Sequence, residues 1–259
     1  MKYKKRYYGE LSNYGYNIFS QNGEDGIIEE INKRLNLEEN KETRWCVEFG
    51  AWDGIYLSNT FNLIKKGWNG IYIEGDQKRF KDLQKTQKSY KSIIPINAFV
   101  SKQYSSKNSL DNILRNTDIP VEFEILSIDI DSFDLEVWES LKEYQPKIVI
   151  IEINSNYPPG ILKWHSNEFR NTNGNSFSAT LKVAKDKGYE LVVHTGNMIF
   201  IRRDLISMIR LEEKYLKYPE LLFNELWYSL DKGNFLMKIL RRSEAFLKNK
   251  LLKKINFLK

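Results

Sequence analysis

The sequence predicts a doubly wound α/β domain, a seven-stranded and mostly parallel sheet that ends in an antiparallel hairpin. Three observations carry that expectation. Short apolar runs alternate with helical patterns from residue 45 to residue 187, the βαβ rhythm of a parallel sheet. The first run, 45–49, enters a glycine turn, Gly50-x-x-x-Gly54, and the second ends in Glu74, twenty residues beyond Gly54. The last two runs, 189–194 and 198–202, are separated only by Thr195-Gly196-Asn197, a hairpin signature.

The elements follow in order. Residues 1–19 are rich in Tyr and punctuated by Gly, an irregular arm. Ser20 stands as an N-cap ahead of Ile27, Ile28, Ile31 and Leu35, which recur at helical spacing. A polar loop, 38–43, leads to the first strand. A helix over 58–66 is closed by Gly67. Strand 70–73, a charged outer helix 77–88, strand 93–100 and a short helix 109–115 come next. Strand 123–130 delivers Asp129 and Asp131, and helix 133–144 sets Leu135, Trp138 and Leu141 on one side. Strand 147–153 is almost unbroken apolar sequence, as suits a strand buried on both faces, and it delivers Glu152 and Asn154. Helix 176–187 precedes the hairpin. A boundary is expected near Asp204, so that 1–203 form the core domain with its arm and 204–259 a basic helical extension. In that extension Leu236, Leu240, Leu247, Leu251, Ile255 and Leu258 keep a helical stripe.

The chain has 259 residues, 41% apolar and 29% charged, a globular composition rather than a disordered one. A net charge of +6 and a pI of about 9.1 favour anionic partners, or simply reflect abundant lysine. No apolar run approaches the ~20 residues of a membrane span, and the basic N-terminus leads into no apolar segment. The single cysteine, Cys46, excludes an intrachain disulfide. A cytoplasmic protein with a buried, inert thiol is the expectation.

In open α/β sheets ligands bind beyond the carboxyl ends of the strands. Those ends carry Glu48, Glu74, Asn97, Asp129, Asp131, Glu152 and Asn154. The interval from Gly54 to Glu74 matches that between a nucleotide-binding glycine turn and the acid that grips a ribose. Adenosine recognition follows, but not recognition of a dinucleotide. Glu48 and Asp53 flank the turn, and carboxylates repel a diphosphate while suiting a cation. S-adenosylmethionine carries a sulfonium, an ammonium and a ribose, and no phosphate. The expected cofactor contacts are Glu48, Gly50, Asp53 and Glu74, with Asn97 and Ala98 facing an adenine. Asp131, Glu152 and Asn154 form an all-oxygen set on adjacent strands, of the kind that Mg²⁺ or Mn²⁺ takes. A carboxylate pair also acts without a metal, and Asp131 has an alternative role as the cap of helix 133–144. Asp129 and His165 are the candidate general bases. His165 lies in the stretch 155–175 with Pro158-Pro159-Gly160, Lys163, Trp164 and Arg170, long enough for a lid or binding loop. His194 ends a core strand and reads as structural.

Val47-Glu48-Phe49-Gly50-Ala51-Trp52-Asp53-Gly54 resembles the first motif of class I S-adenosylmethionine-dependent methyltransferases, and most closely that of FkbM-type enzymes of bacterial surface-glycan clusters. Ser20-Gln21-Asn22-Gly23-Glu24-Asp25 resembles the segment those proteins carry ahead of the motif, and the likeness spans residues 15 to 203. It implies a Rossmann-like methyltransferase fold and S-adenosylmethionine as cofactor, with Gln21, Asp25 and Asp129 among its contacts. It also implies O-methylation of a sugar, nucleotide-linked or phosphorylated precursor in capsule or other polysaccharide biosynthesis. A looser likeness is to capsule-decorating methyltransferases, one of which methylates a phosphoramidate group. The acids after the fourth and fifth strands are arranged similarly to those of metal-dependent O-methyltransferases. The chain departs from the FkbM pattern at Asp129-Ile130-Asp131-Ser132, where those enzymes have an acid followed by Glu-Gly.

Asp129-Ile130-Asp131 is also a D-x-D, so a metal-dependent glycosyltransferase is the competing enzymatic reading. A non-catalytic module that uses its basic tail on nucleic acid or membrane is a third, and it leaves the acidic cluster unexplained. The expected partner is a small anionic or nucleotide-linked acceptor, not nucleic acid. The basic helix expected over 238–259 reads as packed on its own domain or on a partner subunit, as in a dimer, or as attached to a membrane surface.

Overall fold

The computed structural model describes residues 9–37, 44–166 and 174–224. Seven strands form one sheet: β1 (Trp45–Phe49), β2 (Asn69–Glu74), β3 (Ile93–Asn97), β4 (Ile125–Ile128), β5 (Ile148–Glu152), β6 (Tyr189–His194) and β7 (Asn197–Arg202). Their order is β3-β2-β1-β4-β5-β7-β6. The first five run parallel, and β7 lies antiparallel to both β5 and β6. This is the expected Rossmann-like methyltransferase fold, terminal hairpin included. Two edges remain. At one, β3 contains Pro95 and turns Ile94 partly to solvent.

Helices cover both faces. On one lie α1 (Glu24–Arg34), α2 (Phe61–Lys65) and α3 (Gln77–Ser89); on the other lie α4 (Leu110–Leu114), α5 (Asp134–Ser140) and α6 (Phe177–Asp186). The strand period of two explains the unbroken apolar run of β5. Ile148 and Ile150 belong to the core layer that holds Ile28, Phe61 and Leu83, while Val149 and Ile151 belong to the opposite layer, with Leu114, Trp138 and Phe177. Cys46 is buried in β1, and burial pushes its thiol far up, so it is inert at neutral pH.

Several expected boundaries move, each for a local reason. Ser20 is not the N-cap of α1. Gly23, at φ 100°, holds that place, and the Ser20 hydroxyl accepts from the Asp25 N–H at 3.0 Å. The helix expected over 58–66 shortens to Phe61–Lys65, because Ser58 and Thr60 direct their hydroxyls to Glu48. The helix expected to reach residue 144 ends at Ser140. There the Lys142 and Glu143 N–H groups donate to Asp111 instead of to the preceding turn.

The boundary expected near Asp204 falls inside the core. Leu222 and Phe223 are buried in the layer that holds Phe177, and Ile209 of α7 (Ile206–Ile209) is buried in the opposite layer. The Asn224 N–H donates to His194 Nδ1 at 2.9 Å. Residues 204–224, which include α8 (Glu213–Lys217), therefore belong to the domain. The basic stretch 238–259 lies outside the described residues. Among the described residues, no helix is long and apolar enough to cross a membrane.

The sheet order reverses between β1 and β4, which opens a crevice beyond their carboxyl ends. Gly50 has φ 79°, and a Cβ placed on it would lie 1.6 Å from the Asp129 carbonyl oxygen. Two backbone turns touch here, and only glycine allows both the contact and the dihedral angle. Gly50→Ala is expected to cost about 2–4 kcal/mol of stability, measured by urea denaturation. Wild-type stability in that variant would show that the turns have room to separate.

Candidate active site: an acid-lined crevice at the switch point

Glu74 ends β2 and is 5% exposed. Its Oε2 accepts from the Trp52 N–H at 2.8 Å and its Oε1 from the Asp76 N–H at 2.7 Å. Each oxygen keeps a second lone pair, so the carboxylate is aimed without being exhausted. Asn97 Nδ2 donates to the Glu74 carbonyl at 2.7 Å, which makes Asn97 a strut between the ends of β2 and β3. Ala98, half-buried, follows it. Phe99 is 74% exposed and lies against Gly75, where an added Cβ would meet its ring at 2.4 Å. Trp52 sits in the left-handed region at φ 46°, and the Arg79 guanidinium lies 4.9 Å from the centre of its ring. Asp53 Oδ1 accepts from the Ile55 and Tyr56 N–H groups and shapes the glycine turn.

Two expected cofactor contacts turn inward instead. Glu48, 7% exposed, accepts through Oε2 from the Ser58 hydroxyl, the Thr60 N–H and, at 2.6 Å, the Thr60 hydroxyl. Burial pushes it up to about 7, and it braces β1 against the start of α2. Asp25, 2% exposed, accepts through Oδ2 from three successive N–H groups, those of Ile18, Phe19 and Ser20. Its Oδ1 is buried without a partner. The neighbouring Glu24 accepts from Thr195 and Asn197 and so ties this loop to the β6–β7 turn. Gln21 is exposed on the loop's outer side.

The crevice floor is acidic. Asp129 follows β4 and Glu152 ends β5, and one ligand oxygen from each of Asp129, Asp131 and Glu152 lies within 4.8 Å of the others. Asp131 is not a helix cap. It is exposed at φ 58°, while Asp134 accepts from the Ile130 N–H at 2.7 Å and the Ser132 N–H at 2.9 Å. A non-glycine residue in the left-handed region is held there by its surroundings. Of the predicted metal set, Asp131 and Glu152 come together, and Asp129 joins them. Asn154 Oδ1 accepts from the Asn156 N–H at 3.0 Å.

Solvent reaches Asp129, yet protein surrounds it on most sides, as on the floor of a cleft. Desolvation, then the charges of Asp134, Asp131 and Glu48, push it up to about 7. Burial, then the charges of Asp129 and Asp131, push Glu152, hydrogen-bonded to Asp129, well above the ordinary carboxylate range. The two carboxyls titrate as a unit. Desolvation also pushes Asp134 up to about 6. A bound cation relieves this crowding.

The stretch after β5 brings His165 to the crevice. Its N–H donates to Asn175 Oδ1 at 2.7 Å, and its ring meets Phe133 edge-on at 4.6 Å. Its Nδ1 accepts from the Gly174 N–H at 3.2 Å, so the neutral ring carries its proton on Nε2. That nitrogen donates, and His165 is not arranged as a general base. His194 is structural, as expected. It is stacked on Phe223 and paired with Ser155, and burial pushes it down to about 3. The Lys163 N–H donates to Ser176, and Arg170 lies outside the described residues. Sequence reasoning missed Asp134, whose signal was an acid in the first turn of a helix.

No family model matches the chain, and no curated protein does. Among solved structures it is similar to the CurJ carbon methyltransferase, with 10% identity, 70% of this chain and 53% of that chain covered, and a TM-score of 0.47. An O-methyltransferase family protein from Burkholderia thailandensis is 12% identical over 69% of this chain and 57% of that one, with a TM-score of 0.40. M. capricolum TrmK, solved with S-adenosyl-homocysteine, is 15% identical over 87% and 98%, with a TM-score of 0.38. The chain thus spans little more than half the length of the first two.

The raised carboxyls set a pH dependence. A carboxyl whose folded value lies above its unfolded one contributes stability fully below the ordinary carboxylate range and loses it as pH climbs through the folded value. For Asp134, Glu48 and Asp129 that window closes at about 6 to 7. Without divalent cations the melting temperature is expected to fall between pH 5 and pH 8. Mn²⁺ should restore part of it at pH 8, and Glu152→Gln should abolish the Mn²⁺ response. Thermal unfolding of the two proteins checks this; a wild type indifferent to Mn²⁺ removes the metal from the site.

Proposed function

We propose that this chain is an S-adenosylmethionine-dependent O-methyltransferase acting on a sugar, nucleotide-linked or phosphorylated precursor of a bacterial surface polysaccharide, in the cytoplasm and with a divalent cation. The observation that carries the reading is the gathering of carboxylates at the β1–β4 switch point, where the Gly50 turn meets Asp129. A ligand seated there needs positive charge and hydroxyls, and a diphosphate is repelled. The sulfonium and ammonium of S-adenosylmethionine meet the first need and its ribose the second. The unpartnered Asp25 Oδ1, close enough for Asp25 to raise Glu48, adds negative potential on the β1 side.

Each residue then has a task. Glu74, held by Trp52 and Asp76, accepts the ribose hydroxyls on its remaining lone pairs. Phe99 offers a face for the adenine. When bound, the sulfonium supplies an electrophilic methyl group. Asp129, pushed up to about 7 by desolvation and neighbouring charges, takes up the proton of the acceptor hydroxyl. Asp131, Glu152 and Asn154 would hold Mg²⁺ or Mn²⁺, whose contribution would be a lowered hydroxyl pKa.

The convergence of Asp129 and Asp131 keeps one rival in view, a glycosyltransferase that uses them on a metal-bound sugar nucleotide. Calorimetry with S-adenosylhomocysteine, NAD and nucleotide-sugars, each with and without Mn²⁺, separates the two. S-adenosylhomocysteine is expected to bind, and Glu74→Ala to weaken it by about 1–3 kcal/mol, the worth of charge-assisted hydrogen bonds. Unchanged affinity would remove Glu74 from the ribose, and a preference for nucleotide-sugars would favour the rival.

A further inference from the structure

Beside the acidic floor stands a cation with a different character. Lys102 lies on the loop that follows β3, and its Nζ rests 3.6 Å from the centre of the Phe133 ring. Among the described residues it makes no ion pair and no hydrogen bond. Lys102 is exposed, and an aromatic face holds an ammonium in place without neutralising it. The position is built from both sides. The Ser101 N–H donates to the Asn108 carbonyl at 2.9 Å, Ser101 bridges Ser109, and the Gln103 N–H donates to the Ser101 hydroxyl at 3.1 Å. These contacts pin the backbone before and after Lys102. Phe133 is fixed by His165 at its edge and by its place two residues after Asp131. The half-buried Glu136 feels the charges of His165 and Lys102, which offset part of the rise caused by its burial.

We infer that Lys102, carried on Phe133, is the anion half of the acceptor site, and that the acceptor bears a phosphate ester whose oxygens reach Lys102 while the hydroxyl to be modified lies over Asp129 and Glu152. This rests on the methyltransferase reading and names its substrate class. A tetrahedral phosphate suits a point charge. Acidic floor and basic rim then read opposite ends of one molecule.

The test uses calorimetry on the full chain with Mn²⁺ and S-adenosylhomocysteine present, and with glucose 1-phosphate, inorganic phosphate and glucose as probes. Both phosphates are expected to bind and glucose alone is not. Lys102→Gln should weaken both by about tenfold, the loss of one charge-assisted hydrogen bond. Lys102→Arg should retain binding, and Phe133→Leu should lose it as Lys102→Gln does. Lys182→Gln, on the outer side of α6, should bind as wild type. Affinity for S-adenosylhomocysteine, measured separately, should be the same in all variants. Wild-type phosphate affinity in Lys102→Gln, or no phosphate binding by the wild type, overturns the half-site while the cofactor reading stands. Lys102-dependent phosphate binding without any S-adenosylhomocysteine binding has the opposite effect.

Discussion

The structure turns on the contact between Gly50 and the carbonyl of Asp129. Two parallel strands that part at a switch point normally leave space between the turns that follow them. Here the turns close on each other, which fixes the floor of the crevice at backbone level before any side chain is considered. The Gly50 and Ala51 N–H groups are satisfied by the Ile73 carbonyl, and the Asp129 N–H by that of Phe49. The ends of β1, β2 and β4 are thereby locked in one register, and Glu74 and Asp129 inherit their positions from it.

The acids at this end of the sheet divide into two kinds. Glu24, Asp25, Glu48 and Asp134 are committed to backbone N–H groups and hydroxyls, and their buried charge stiffens the loops that wall the crevice. Asp129, Asp131 and Glu152 have mainly one another. Folding tolerates the contact of Asp129 with Glu152 because burial raises both carboxyls and so favours their protonated forms. Structural acids hold the frame still, so the crowded ones cannot move apart.

Much of the frame was legible in the sequence, because its signals are local. The apolar run of β5, the Gly50-x-x-x-Gly54 turn and the hairpin over Thr195-Gly196-Asn197 each depend on a few neighbouring residues. What was not legible depends on partners far along the chain. Glu48 looked like a ligand because its hydroxyl partners, Ser58 and Thr60, sit beyond the glycine turn. The boundary near Asp204 was misplaced because Leu222 and Phe223 enter the core from a charged, aperiodic stretch. The base assigned to His165 failed on a single N–H from Gly174, which no pattern encodes.

The edge strand β3 carries a further consequence. The Gly70 N–H donates to the Ser92 carbonyl at 2.9 Å, so Ser92, Ile94 and Ile96 turn their backbone groups toward β2, and Ile93, Pro95 and Asn97 turn theirs outward. The Ile93 N–H is taken by the Tyr90 carbonyl at 3.1 Å, and Pro95 has none. An incoming strand would find a single outward donor, at Asn97, where a growing ladder needs several in register. Another copy of this chain therefore cannot lengthen the sheet through β3. At this edge the chain is protected from fibrous self-association by its own covalent chemistry.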